Sequence, residues 1–295
     1  MPEFKKDNMT KYVIISPVRN EEDFLKTTMD SVINQTIEPA EWILVNDGST
    51  DNTESIIDSY MQDHKWIKKI NLEDRGYYYP GTGVVRVFET GFRQISVKDW
   101  QFVVKLDCDL KFEPSYFEEI FRRFEQDPKL GIASGCTYAP RDSELLRESA
   151  QEDHPVGPSK IYKRQCWEQT GGMIPVPGWD LADLLAAQMN GWKTRCFFDL
   201  KLIHYRQTGS RRKGLWGPKF LQGRFTYKHG YSFVYTLFRE LSHLFKRPYI
   251  IGSVAQICGY LYAAMKKEDY LFPKDMRDYL RSRHKKFLRN KFGLN

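Results

Sequence analysis

Cysteine is scarce in this chain of 295 residues, and what there is does not suggest pairing. Cys108, Cys136, Cys166, Cys196 and Cys258 are odd in number, widely spaced and without a Cys-x-x-Cys. That argues against a disulfide framework or a zinc site and for reduced thiols in the cytosol. No Gly-x-Gly-x-x-Gly follows the first apolar run, and no Gly-x-x-x-x-Gly-Lys-Ser/Thr occurs anywhere. Neither a dinucleotide fingerprint nor a P-loop is available, so a nucleotide has to be held by side chains and a metal. The opening MPEFKKDNMTKY lacks an apolar signal segment, which argues against export. Pro248–Met265 carries no formal charge over eighteen residues, the low edge for a membrane span, and Gly252, Ser253, Gln256 and Gly259 weaken it further.

What is present is a globular composition, 41% hydrophobic and 28% charged, on a chain long enough for one large domain or one domain with an extension. The formal charge of +7 conceals an asymmetry. Residues 1–200 carry 24 Lys and Arg against 33 Asp and Glu, while residues 201–295 carry 21 against 5. An acidic body with a basic tail suits a nucleic acid or an anionic membrane surface.

The run Val103-Val104-Lys105-Leu106-Asp107-Cys108-Asp109-Leu110 is apolar and ends in two carboxylates one residue apart. Read as a buried strand, it points Asp107 and Asp109 to the same side at its tip. Two convergent carboxylates hold a divalent cation, and such hard ligands suit Mg²⁺ or Mn²⁺ with positions kept open for substrate phosphates. A lone Asp-x-Asp is more often a polar loop or a helix cap, so its surroundings decide.

Upstream, Tyr12–Ser16 is a short β-branched run that Pro17 is expected to halt. Glu21–Gln35 has helical spacing, Trp42–Val45 is a second strand, and Asn46–Asp51 leads into a helix over Asn52–Met61. This alternation predicts parallel strands with right-handed crossovers and ligands at their carboxyl ends. Pro17–Glu21, Asn46–Asp51 and Asp107–Asp109 all fall at such ends. Downstream, Phe117, Ile120, Phe121 and Phe124 recur as the core face of a helix opened by Pro114. Gly131–Gly135 reads as a short strand, and Arg141–Pro158 as a long polar loop, mobile or in contact with an acceptor. Leu200–Arg206 reads as a strand ending at His204.

The stretch SPVRNEEDFLKTTMDSVINQTIEPAEWILVNDGSTDNT, followed by KLDCDLKFEPSYFEEIFRRF, resembles glycosyltransferase family 2 over about residues 10–205. The resemblance implies an α/β protein of the GT-A fold, a Rossmann-like, mostly parallel sheet flanked by helices. It implies that Pro17, Arg19, Glu21 and Asp47 bind the nucleotide base and ribose, with Lys105 in the same donor-binding set. Asp107 and Asp109 bind the metal and diphosphate. Arg86 occupies the Arg position of a Gly-x-Ala-Arg-Asn helix start facing the diphosphate, although Val87 replaces the Asn, and Asn46 stands where many relatives have a first acid. Counting back from Gly191, Asp180 is the expected general base, with Trp179 where Glu is usual and Asp183 one turn on as the reserve. Capping the helix is the alternative role for either Asp. His204 is the expected further metal ligand, better suited to Mn²⁺ than Mg²⁺, and Arg206, Arg211, Arg212 and Lys213 a basic flap over the diphosphate.

The expected domains are residues 1–213, nucleotide-sugar-binding and catalytic, and residues 214–295, a helical, basic, membrane-associating extension. The expected activity is metal-dependent, inverting transfer from a UDP-, GDP- or dTDP-linked sugar to a glycan, glycolipid or polysaccharide acceptor, with Mn²⁺ or Mg²⁺ as cofactor. The expected place is cytoplasmic, peripheral on the anionic inner face of the cell membrane, with no nucleic-acid partner. A nucleotidyltransferase acting on sugar phosphates is the enzymatic alternative, but it needs a basic Gly-rich loop after the first strand, which Pro17–Glu21 is not. A basic nucleic-acid-binding module is the non-enzymatic one, and its positive charge lies away from the carboxylates.

Overall fold

The computed structural model describes residues 10–74, 81–141, 144–148, 151–206, 214, 216–243 and 249–293. Two compact units emerge, one of Met1–Pro175 with Trp179–Gln207 and one of Val176–Gly178 with Thr208–Asn295. The first alternates strands and helices: β1 (Tyr12–Val18), α1 (Leu25–Ile33), β2 (Glu41–Asp47), α2 (Thr53–Asp63), β3 (Ile67–Leu72), α3 (Thr82–Phe92), β4 (Phe102–Leu106), β5 (Leu110–Phe112), α4 (Tyr116–Gln126), β6 (Leu130–Arg141), β7 (Glu144–Arg147), β8 (Ser159–Lys163), α5 (Arg164–Thr170), α6 (Trp179–Met189) and β9 (Lys193–His204). Among the described residues the strands form one sheet in the order β3-β2-β1-β4-β8-β6-β9-β5, with β7 paired to β6. β1 lies parallel between β2 and β4, whereas β8 runs antiparallel to both β4 and β6.

Apolar runs, not alternating patterns, build the central strands because helices cover both faces. Side chains of β1 and β2 still alternate between two cores. Tyr12, Ile14, Trp42 and Leu44 pack with Phe117 and Phe121 of α4 on one side, while Val13, Ile15, Ile43 and Val45 pack with Val85 and Phe88 of α3 on the other. Four expectations are corrected. Pro17 does not halt β1, which runs on beside β2 to Val18; pairing with β4 stops at Ile15–Lys105, and proline is tolerated where a strand has lost a neighbour. The metal-candidate strand ends at Leu106, so Asp107 and Asp109 sit in the turn between β4 and β5, and strand alternation does not set their direction. The short strand at 131–135 is the middle of a twelve-residue β6. Part of the supposed loop after it forms a hairpin, with Arg141 opposite Glu144 and Tyr138 opposite Arg147.

The second unit is helical: α7 (Trp216–Lys228), α8 (Phe233–His243), α9 (Tyr249–Met265) and α10 (Lys274–Phe292). α7 and α9 cross at backbone contact. A Cβ on Gly223 would lie 2.0 Å from the Gln256 carbonyl oxygen, and one on Gly259 2.0 Å from that of Phe220. α9 is turned inside out relative to a water-facing helix. Its buried side holds Gly252, Ser253, Ala255, Gln256, Gly259 and Ala263, while Ile250, Ile251, Val254, Leu261 and Met265 are exposed. Among the described residues no helix is long and apolar enough to cross a membrane.

His284 of α10 is buried with its ring stacked 3.7 Å from that of Tyr235, and its Nδ1 has no hydrogen-bond partner. Burial first, then the charges of Arg283, Arg239 and Arg281, hold its pKa down from 6.5 to about 3. The unfolded chain takes up this proton near 6.5 and the folded chain only near 3, so stability is complete above 6.5 and falls as pH drops through that window. Denaturant unfolding at about pH 7.5 and about pH 5.5 should show the wild type losing about 1.4 kcal/mol more than His284→Phe. Equal losses would place the proton elsewhere.

Candidate active site

The loops after β1 and β2 are stitched together before any ligand arrives. Asn20 donates its backbone N–H to Ser49 Oγ at 3.0 Å and accepts the Thr50 N–H at 2.8 Å, while Glu21 donates its N–H to Thr53 Oγ1 at 2.8 Å. Arg19 donates to the Asp47 carbonyl at 2.5 Å and to Asp74 Oδ1 at 2.6 Å. The turn demands Gly48, whose φ is +67° and where a Cβ would lie 2.5 Å from Asp74 Cα. Asn46 has a structural use: its Oδ1 accepts the Ser49 N–H and its amide donates to Asn71 on β3, bonds an ionised Asp could make only in part. Pro17 lies half-buried at the end of β1, Asp47 half-buried at the end of β2, and Arg86 exposed on α3.

Beyond β4, negative charge accumulates, and Glu21, Asp107, Asp109 and Glu148 each face a cation. Lys105 Nζ, almost wholly buried, donates to Asp107 Oδ1 at 2.5 Å and to the Gly157 carbonyl at 3.0 Å. Arg206 donates to Glu21 Oε1 at 2.5 Å. Burial, offset only in part by Arg206, raises the Glu21 pKa to about 7, and the charges of Asp109 and Asp107 add to the rise. His204, buried at the end of β9, has Nδ1 2.7 Å from Glu148 and Nε2 3.5 Å from Asp109. Burial alone would lower its pKa, but these two carboxylates outweigh it and lift it to about 10. These carboxylates favour the protonated ring, whereas a metal ligand has to be neutral, so proton and metal would compete for His204. Arg211, Arg212 and Lys213 of the expected flap lie outside the described residues.

Among the described residues no three His, Cys, Asp or Glu side chains stand grouped as a finished metal site. The two aspartates nevertheless fit a divalent cation that draws its remaining oxygens from a bound diphosphate. Asp109 is buried, and among the described residues its Oδ1 has no hydrogen-bond partner. Asp107 is pushed up by burial and, against Lys105, by Asp109, a repulsion that a shared cation relieves.

The two candidates on α6 have different surroundings. Asp183 is fully buried: Lys160 Nζ donates to its Oδ1 at 2.9 Å, the Tyr162 hydroxyl donates to its Oδ2, and the Leu184 N–H donates to Oδ1. Asp180 keeps 43% of its side chain exposed, with Oδ2 3.9 Å from His154 Nε2. Burial pushes its carboxyl up, but the nearby His154 and the Lys160 charge outweigh it and hold the group below the usual carboxylate range. Asp180 is therefore ionised and accessible, whereas Asp183 is enclosed.

The sequence model of glycosyl transferase family 2 matches residues 13–178. The chain belongs to this family. EpsH of Bacillus subtilis is 31% identical over 126 residues, 43% of this chain and 33% of that protein. The poly-beta-1,6-N-acetyl-D-glucosamine synthase of Staphylococcus aureus is 27% identical over 145 residues, 49% of this chain and 33% of that protein. This chain thus spans about a third of the length of these curated relatives. The mannosyltransferase PcManGT from Pyrobaculum calidifontis, solved with GDP-Man and Mn²⁺, superposes with a TM-score of 0.57 at 15% identity, over 98% of this chain and 88% of that one. S. aureus TarS in complex with UDP-GlcNAc gives 0.54 at 16%, over 73% of this chain and 65% of that one. The fold expected from the sequence, GT-A, is the one these structures share.

Sequence reasoning missed Glu148, Lys160 and His154. Each does its work across the sheet, and no local spacing marks such partners. Removing Asp183 leaves the Lys160 ammonium buried and unpaired, so Asp183→Ala should cost about 3–5 kcal/mol in denaturant unfolding. Asp180→Ala, at a half-exposed site, should cost about 1 kcal/mol or less. A reversed order would mean that α6 is held by a different acid.

Proposed function

We propose that this family 2 protein transfers a sugar from a nucleotide-diphosphate sugar with inversion, and that a divalent cation assists. The observation that carries the reading is a short physical link between the two halves of such a site. Lys105 ties Asp107 to the Gly157 carbonyl, and a Cβ on Gly157 would lie 4.0 Å from Asp180 Cβ. Asp180 takes the acceptor hydroxyl proton as that oxygen attacks the anomeric carbon. The bond to the donor oxygen breaks on the opposite face, and the nucleoside diphosphate leaves with the electron pair. Bound at Asp107 and Asp109, Mn²⁺ or Mg²⁺ would neutralise charge on the leaving diphosphate. Arg19, Glu21 and Asp47, fixed by the stitched loops, bind base and ribose, and Arg86 and Lys105 face the phosphates. UDP-GlcNAc and GDP-mannose, the donors in the TarS and PcManGT structures, are the first to test.

Isothermal calorimetry with UDP or GDP should show Mn²⁺-dependent binding that Asp109→Ala abolishes without unfolding the chain. Asp180→Asn should bind the nucleotide normally but release nucleoside diphosphate from the donor roughly a hundredfold more slowly. Unchanged affinity of Asp109→Ala with Mn²⁺ would remove the metal assignment, and an active Asp180→Asn would remove the base.

The second unit carries the proposed partner surface, the anionic cytoplasmic face of a membrane that presents a lipid-linked or polysaccharide acceptor. Supporting it are the 21 basic against 5 acidic residues after position 200 and the outward aliphatic stripe of α9, with Lys266 and Lys267 exposed at its end. Each basic residue near such a surface contributes about 1 kcal/mol, and the stripe lies in the interface without spanning it. Co-sedimentation with anionic vesicles should weaken at high salt and fall roughly tenfold further in Ile251→Glu/Val254→Glu. Binding to neutral vesicles that salt leaves unchanged would favour insertion, and no binding to either would leave the stripe to a protein partner.

A further inference from the structure

Two lysines are buried side by side in the first unit. Lys105 and Lys160 are direct cross-strand partners on the antiparallel β4–β8 pair, so their side chains share one face of the sheet. Their side chains are 3% and 0% exposed. Each ammonium is answered at a different end. Lys105 Nζ holds Asp107 and the Gly157 carbonyl, and Lys160 Nζ donates to the Asp180 carbonyl at 2.7 Å and to Asp183 Oδ1 at 2.9 Å. Both lie over one ring: the Trp179 indole has Lys105 Nζ 5.5 Å and Lys160 Nζ 5.1 Å from its centroid. The same indole is within 3.5 Å of where a Cβ on Gly157 would be.

Like charges set side by side out of water repel, and filling this space with apolar side chains would avoid the desolvation cost. What the lysines and the indole add is placement. Their bonds are directional, and desolvated cation–π contacts fix the ring against both ammonium groups. The turn that carries Asp107 and the first turn of α6 that carries Asp180 are joined through this unit.

We propose that Lys105, Trp179 and Lys160 form a buried brace that sets the Asp180 carboxylate against the Asp107 turn, which makes Trp179 and Lys160 positioning residues for the transfer step. The role rests on the reading of Asp180 as the base. A misplaced base loses rate without losing donor affinity, because the donor is held by the loops after β1, β2 and β4.

The test uses the full chain, Mn²⁺ and UDP-GlcNAc or GDP-mannose with water as acceptor, read as nucleoside diphosphate release. Trp179→Leu should lower kcat roughly tenfold or more while donor KM stays within about twofold, and in an Asp180→Asn background it should cause no further loss. Lys160→Met alone leaves Asp183 buried and unpaired and can unfold the chain. Lys160→Met/Asp183→Leu, which removes both charges, keeps the experiment interpretable. In that variant kcat should fall roughly tenfold while donor KM stays within about twofold, because the base has lost its support. A Trp179→Leu loss that simply adds to that of an inactive Asp180→Asn, or that falls on donor KM alone, overturns the brace and leaves the base reading standing. Full activity of Asp180→Asn removes the base reading and the brace with it.

Discussion

Negative charge gathered in partly desolvated surroundings at the strand ends is the constraint on which the first unit depends. Glu21, Asp107, Asp109 and Glu148 come together where three strands end, and bringing carboxylates out of water is costly unless each meets a cation. Arg206, Lys105 and His204 are those cations. Among the described residues Oδ1 of Asp109 is buried without a hydrogen-bond partner, and the proposed divalent ion would answer it there. A site built this way is preorganised, since its side chains are held by one another before a donor phosphate arrives.

The same logic separates the two aspartates of α6. Asp183 has the better bonds and the poorer access: its carboxylate accepts from Lys160, Tyr162 and a backbone N–H and is closed from solvent. Asp180, one turn earlier, feels the Lys160 charge without spending its side chain on it. Structural anchoring and chemical availability are thus divided between neighbours on one helix.

In the second unit the balance of burial is reversed. α9 buries glycine, serine and alanine because two backbones touching at Gly223 and Gly259 leave no room for larger side chains. Ile250, Ile251, Val254, Leu261 and Met265 are left facing out. The exposed aliphatic stripe, on a chain with this excess of Lys and Arg after residue 200, is the feature on which the proposed membrane surface rests.

The parallel core was legible in the chain because fully buried strands read as apolar runs and their polar ends read as turns and caps. Tyr12–Val18, Glu41–Asp47 and Phe102–Leu106 each show it. The Asp107–Asp109 pair and the uncharged, glycine-bearing α9 segment were visible for the same reason, since local pattern encodes local structure, whereas Arg19, Glu21 and Asp47 were singled out only by the family resemblance. β3 was not visible, because its Lys68 and Lys69 look like surface until Glu41, Glu54 and Asp58 are seen to meet them. Nor was the pairing of Glu148 with His204, the difference in access between Asp180 and Asp183, or the Lys105–Trp179–Lys160 unit. Those depend on which strand lies beside which and on which carboxylate water can reach, quantities set by long-range register and burial that exist only once the chain has folded.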